Sequence, residues 1–66
     1  MNVNKLKGKI VENGLSVGKL ADLIGIERSS MYRKLNDFKK ITIGDAEKIK
    51  GALKLNDEEA YEIFLS

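Results

Sequence analysis

The absence of both cysteine and histidine limits how this chain of 66 residues can be held together. A domain of this size buries only about 60% of the surface that its unfolded chain exposes, so small domains often depend on disulfides or a structural zinc ion. Disulfides and zinc sites built on cysteine or histidine are excluded here, and so is most catalysis by a nucleophile and a histidine. We therefore expect one small domain, residues 1–66, with an apolar core. We expect no catalytic residue, metal or cofactor, and we do not expect an enzyme.

The composition is that of a globular protein, with 42% hydrophobic and 33% charged residues. No apolar run is long enough to cross a membrane, and the first residues lack the profile of a signal peptide. The sequence therefore predicts a cytoplasmic protein with no membrane partner and no small-molecule ligand.

The net charge of +2 conceals an uneven distribution of charge along the chain. Residues 1–40 contain nine basic and four acidic residues, whereas residues 41–66 contain three basic and six acidic ones. Such a division favours a polyanionic partner that contacts one side of the domain, although charge on a small domain is often just a solvated surface.

The spacing of apolar residues predicts three short helices in the first half of the chain. The first covers about residues 4–12. Its inward face is predicted to carry Val3, Leu6, Ile10 and Val11. The second helix begins after Ser16, a good N-cap, and ends at Gly25. The third begins at residue 27 or 28 and reaches residue 35.

Two capping-box sequences predict the starts of a fourth and a fifth helix. Thr42 with Asp45 opens the fourth, and Asn56 with Glu59 opens the fifth. Residues 41–43 alternate in polarity like a strand, which leaves a two-stranded ribbon near the C-terminus as an alternative. Three residues are few for a strand, so the prediction is an all-α fold of five helices.

The segment from residue 16 to residue 36 carries the strongest functional signal. The small Ala21 lies in the second helix, Gly25 follows four residues later, and the apolar Met31 follows after six more. Two helices that cross steeply through a short turn need a small residue at their contact and a turn residue that tolerates positive φ. The pattern therefore predicts two closely packed helices joined by a tight turn. An ordinary helical hairpin without a partner fits the same spacing.

This segment resembles the helix-turn-helix of phage Cro and repressor proteins, the broad XRE-type family. In that family a leucine-alanine pair precedes a glycine turn, and a polar, exposed helix follows. The matching parts of this chain are Leu20-Ala21, Gly25, residues 28–33 and Leu35-Asn36. The resemblance continues through residues 42–59, which match the family's fourth and fifth helices, so it covers nearly the whole chain. It implies a five-helix fold of lambda-repressor type that binds DNA.

The third helix carries the residues expected to contact DNA bases. Met31 and Leu35 are spaced to face inward, so the other side chains point outward and suit the major groove, where base pairs expose distinguishable edges. The candidate base-contacting residues are Arg28, Ser29, Tyr32 and Arg33. The guanidinium of each arginine can bind guanine O6 and N7 together. The alternative for each arginine is a solvated charge or a pair with Glu27 or Asp37.

Other groups are expected to contact the DNA backbone. The first turns of the second and fourth helices direct partial positive charge toward phosphates, two lysines flank the second of these turns, and the resemblance places a further contact at the end of the third helix. The candidates are Ser16, Val17, Asn36, Lys39, Lys40 and Thr42. The chain departs from the family pattern at Val17, Glu27 and Asp37, and the last two add negative charge near the DNA.

These features predict a sequence-specific regulator of transcription, of phage or prophage type, that occupies a double-stranded DNA operator. The resemblance implies a symmetric pair of protomers on a pseudo-palindromic site, with recognition helices about 34 Å apart. We expect a weak homodimer that assembles mainly on DNA. Its candidate contacts are Tyr61, Phe64 and Leu65, and the alternative is that these residues close the core of the monomer.

A second hypothesis comes from a different functional class. The modest net charge and the acidic residues Glu27 and Asp37 would also suit an adaptor that binds another protein, for example a partner repressor. The dependence of duplex affinity on salt separates the two, because a protein that neutralises several phosphates loses affinity steeply as salt rises.

Overall fold

Five α-helices and one 3-10 turn make up residues 1–65, the part of the chain that the structure, a computed structural model, describes. The helices are α1 (Val3–Glu12), α2 (Val17–Ile24), α3 (Arg28–Asn36), α4 (Ile43–Leu53) and α5 (Asp57–Phe64), and the 3-10 turn Phe38–Lys40 joins α3 to α4. No strand occurs within residues 1–65, so the ribbon considered at residues 41–43 is not formed. The predicted all-α class is confirmed.

Local capping interactions set the first two helices. Asn2 Oδ1 accepts a hydrogen bond from the backbone N–H of Lys5 at 3.0 Å, so α1 begins slightly earlier than the spacing predicted. Ser16 Oγ accepts from the backbone N–H of Lys19 at 3.1 Å and caps α2 as predicted. Gly25 ends α2 in the left-handed conformation, with a φ of 76°.

Both predicted capping boxes are present. Thr42 Oγ1 accepts from the backbone N–H of Asp45 at 3.0 Å, and the Asp45 carboxylate accepts from the backbone N–H of Thr42 at 3.1 Å. Asn56 and Glu59 make the equivalent pair of bonds at the start of α5, at 2.8 and 3.0 Å. Each box satisfies backbone donors that a helix start would otherwise leave free.

All five helices and the link between α4 and α5 contribute to one apolar core. The buried side chains are Leu6, Ile10, Leu20, Ala21, Ile24, Met31, Leu35, Ile49, Leu53, Leu55 and Ile63. The predicted inward position of Val11 is wrong, because that side chain is 74% exposed. Leu6 and Ile10 set the buried stripe of α1, and Val11 lies about 100° around the helix from Ile10.

Ion pairs neutralise much of the acidic end of the chain. α5 packs on α1 and α4, whereas α3 packs on α2 and on the 3-10 turn. The pairs that involve α5 are Lys5–Glu62, Lys9–Glu59 and Lys50–Asp57. The backbone N–H of Asn2 also donates to Ile63 O at 2.8 Å. The charge division along the sequence therefore becomes charge pairing between α5 and the lysines of α1 and α4.

The length and polarity of the helices bear on whether any of them could cross a membrane. Within residues 1–65, every helix is too short or too polar to span a membrane.

Candidate nucleic-acid interface

α2 and α3 pack against each other through the short connection at residues 25–27. Ala21 is fully buried at this contact, and the backbone N–H of Ile26 donates to Ala21 O at 3.0 Å. The positive φ of Gly25 lets the chain reverse direction within this connection. The sequence prediction of two closely packed helices joined by a tight turn is therefore fulfilled.

The two sides of α3 differ sharply in burial. Met31 and Leu35 enter the core, which fixes the rotation of the helix about its own axis. The four predicted base-contacting residues, Arg28, Ser29, Tyr32 and Arg33, are all exposed. α3 therefore exposes two arginines, one serine and one tyrosine, and we call these four residues the α3 surface.

Arg28 is held by an acidic residue of the preceding helix. Its Nε lies 3.3 Å from Asp22 Oδ1 and its Nη2 lies 2.6 Å from Asp22 Oδ2. Glu27 and Asp37 were the alternative partners predicted for this arginine, but the partner is Asp22, because the turn brings it beside the first residue of α3. The hydrogen bond from Arg28 holds the pKa of Asp22 below its usual value. The guanidinium also covers Gly18, where a Cβ atom would lie 3.0 Å from Arg28 Nη1.

Arg33 differs from Arg28 in its contacts. Within residues 1–65 it forms no ion pair, and its guanidinium makes one long hydrogen bond, from Nη2 to Ser30 Oγ at 3.5 Å. Asp37 Oδ1 instead accepts from the backbone N–H of Lys39 at 3.3 Å and thereby orders the 3-10 turn. Arg33 and Lys40 line the same shallow hollow beside α3. The Arg33 side chain therefore keeps most of its donors for an external acceptor.

The residues predicted to contact the DNA backbone fall in two places. Four of them lie close together in the chain between the end of α3 and the start of α4, and all four are exposed. They are Asn36, Lys39, Lys40 and Thr42. Ser16 and Val17 lie at the start of α2, where Ser16 is exposed. The side chain of Val17 packs partly against the core, so the donor that this residue offers is its backbone N–H in the first turn of α2.

An ion pair that was not predicted from the sequence joins α3 to α4. Lys34 Nζ lies 2.5 Å from Asp45 Oδ2, and Asp45 is only 9% exposed. Burial raises the pKa of Asp45, but the hydrogen bonds from Lys34 and Thr42 outweigh that effect, so the pKa lies below its usual value. The sequence did contain a signal for this ion pair. Lys34 lies between the buried Met31 and Leu35 in the sequence, which places a cation at the edge of the buried face of α3.

A second exposed surface lies between α4 and α5. Ile43, Tyr61 and Leu65 line one groove there and are 81%, 56% and 74% exposed, and we call these three residues the α4–α5 apolar surface. Phe64 differs from the other two predicted dimer contacts. It is half-buried, and its ring stacks on that of Phe38 with 6.0 Å between centroids. Tyr61 and Leu65 thus remain available for a partner, whereas Phe64 contributes to the packing of the monomer.

The acidic side chains of the described residues do not gather into a metal site. Within residues 1–65 no group of three or more acidic side chains is placed to hold a metal ion. Apart from the carboxylate of Asp37, the polar side chains of the α3 surface and of the α3–α4 connection are cations, hydroxyls and an amide, which suit anionic or hydrogen-bonding partners.

Comparisons with known proteins assign no family to this arrangement. No family model matches the chain, and neither a curated protein nor a solved structure does.

Proposed function

We propose that this protein is a sequence-specific, double-stranded DNA-binding regulator of transcription that occupies an operator. In this proposal α2 and α3 form a helix-turn-helix, and α3 enters the major groove. One observation carries the proposal: α3 buries Met31 and Leu35 and exposes the α3 surface, which continues into the exposed cations Lys39 and Lys40. The resemblance of residues 16–36 to the Cro and repressor proteins supports it, as does the likeness of the later helices, which favours a lambda-repressor-like arrangement.

The chemistry of the α3 surface suits the edges of base pairs. The unpaired guanidinium of Arg33 can donate to O6 and N7 of one guanine, the commonest specific contact in the major groove. Ser29 can donate or accept, and Tyr32 can bond a phosphate or pack against a thymine methyl group. These groups would read sequence, whereas Lys39 and Lys40 would neutralise phosphates and set the position of the protein on the duplex.

Recognition of a pseudo-palindromic operator would require two protomers. We assign the contact between them to the α4–α5 apolar surface, since Tyr61 and Leu65 expose apolar area that the monomer does not cover. Three exposed side chains form a small contact, so the homodimer would be weak and would assemble mainly on DNA. The recognition helices would then lie about 34 Å apart, one turn of the duplex.

The proposal is tested by selecting duplexes from a random pool with the intact protein at low salt. We expect a pseudo-palindrome that binds at least about 1000-fold more tightly than a scrambled duplex of the same composition, with affinity that falls steeply as salt rises. A Lys7→Ala variant is the control for general loss of charge, because Lys7 is exposed on α1 and outside the proposed interface. Equal affinity for the selected and the scrambled duplex would refute the proposal.

The α4–α5 apolar surface also favours a second candidate, an adaptor that binds another protein. An exposed apolar groove is typical of protein–protein contacts, and Asp22 already holds one of the two arginines of α3. An adaptor would show little affinity for any duplex at any salt concentration. Its complex with a protein partner would instead be lost on Tyr61→Ser or Leu65→Ser.

A further inference from the structure

We infer that Asp22 prevents Arg28 from contacting a base, because it holds the guanidinium of Arg28 against α2. Guanine recognition is then left to Arg33. This inference rests on the proposed function, because it concerns how the α3 surface reads DNA. It goes beyond that function by giving Asp22, which lies outside α3, control over sequence preference.

The geometry of the ion pair carries the inference. Asp22 accepts from Nε and from Nη2 of Arg28, at 3.3 and 2.6 Å. These two parallel donors form one of the edges with which an arginine can bind guanine O6 and N7 together, so a carboxylate already occupies that edge. Asp22 thus offers Arg28 the same two-acceptor pattern that a guanine would offer.

The other end of the guanidinium is confined as well. Nη1 would lie 3.0 Å from a Cβ atom on Gly18, so it rests against the first turn of α2. A glycine within a helix costs stability relative to alanine. Gly18 is buried under the Arg28 side chain, where a larger residue would crowd the guanidinium. The bare backbone at Gly18 therefore lets Arg28 lie across α2 instead of extending along α3.

Two other acidic residues beside α3 provide the contrast. Glu27 caps α3 without a side-chain hydrogen bond, and Asp37 accepts from the backbone N–H of Lys39. Within residues 1–65 neither of them forms an ion pair with Arg28 or with Arg33. Asp22, Glu27 and Asp37 each bring one negative charge close to the proposed DNA surface. Of these three, only the loss of Asp22 would release an arginine.

The test is a selection of duplexes from a random pool with the wild-type protein, Asp22→Asn, Glu27→Gln and the double variant Asp22→Asn/Arg28→Ala. For Asp22→Asn we expect each half-site to gain one position at which guanine is preferred by about 5- to 150-fold. The wild type should show no preference at that position. Glu27→Gln removes the same charge and should recover the wild-type site. The double variant should lose the new preference, because it has no guanidinium to release.

A measurement without DNA tests the ion pair itself. In the wild type, exchange of the Arg28 Nε–H with solvent, followed by NMR, should be several-fold slower than in Asp22→Asn. Equal exchange rates would overturn the inference, as would an unchanged operator for Asp22→Asn or the same new preference in Glu27→Gln. Failure of the proposed function is a different result: the wild type itself would then select no sequence, and the inference would fall with it.

Discussion

Lys34 Nζ lies 2.5 Å from Asp45 Oδ2, and this ion pair ties α3 to the first turn of α4. The same carboxylate closes the capping box with Thr42, so one nearly buried group orders the start of α4 and holds the neighbouring helix. The α3 surface lies on one of the two helices that this pair connects, and the exposed Lys39 and Lys40 lie in the 3-10 turn between them. Their relative position therefore depends on it.

Replacing Lys34 by methionine should destabilise the protein by about 1–3 kcal/mol, because the buried Asp45 would lose its cation and keep only its bonds to Thr42. Urea unfolding measures the change. Lys39→Met is the matched control, since Lys39 is exposed, and it should change the free energy of unfolding by less than about 0.5 kcal/mol. Equal effects of the two substitutions would show that the pair with Asp45 does not stabilise the fold.

Between pH 3 and pH 8, stability should depend on pH only at the acid end. The pKa values of four carboxyl groups lie below their usual values in the folded protein. They are Asp22, Asp45, Asp57 and Glu59. Near pH 4 the unfolded chain therefore binds more protons than the folded one, so the stabilisation is present above the usual carboxyl pKa and is lost as pH falls through the lowered values. The chain has no histidine to titrate between pH 5 and 8.

Urea unfolding from pH 3 to pH 8 checks this expectation. The free energy of unfolding should be nearly constant from pH 5 to 8 and should decline below about pH 4.5. Asp45→Asn should be less stable at neutral pH and should lose less stability on acidification. A marked change in wild-type stability between pH 5 and 8 would contradict the assignment.

Truncation of the core should cost far more than truncation of the surface. Ile63→Ala should destabilise the protein by about 2–5 kcal/mol, because Ile63 is fully buried where α5 packs on the rest of the core. Leu23→Ala, on the exposed side of α2, should change stability by less than about 0.5 kcal/mol. Thermal unfolding followed by circular dichroism compares them, and similar losses would mean that the assignment of the core is wrong.

The α4–α5 apolar surface predicts a variant that keeps the fold and weakens pairing. Leu65→Ser should leave the unfolding transition unchanged, since Leu65 is largely exposed, but should reduce cooperative binding of two protomers to a two-half-site duplex. Affinity for a single half-site should stay the same. Undiminished cooperativity would place the contact between protomers elsewhere.

The elements of this fold that depend on local chemistry could be predicted from the sequence. Ser16, Gly25 and the two capping boxes fix helix ends through bonds between residues three or four positions apart. The two faces of α3 follow from the spacing of Met31 and Leu35. These features need no knowledge of how the helices pack.

The interactions that cross between elements could not be predicted in this way. The pairs Arg28–Asp22 and Lys34–Asp45 depend on the angle between helices and on rotamers, which the order of residues does not encode locally. Val11 was misplaced for a related reason: neighbouring apolar residues on a helix point in different directions, and packing decides which one is buried.

The claim that α3 reads bases is tested most directly by the discrimination of one protein variant between two duplexes. The measurement is the dissociation constant for the operator with one guanine replaced in one half-site, divided by the dissociation constant for the selected operator. We predict that Arg33→Ala reduces this ratio by about 5- to 150-fold, whereas Lys39→Ala weakens binding to both duplexes equally and leaves the ratio unchanged. An Arg33→Ala variant that discriminates at every guanine as well as the wild type would contradict the account.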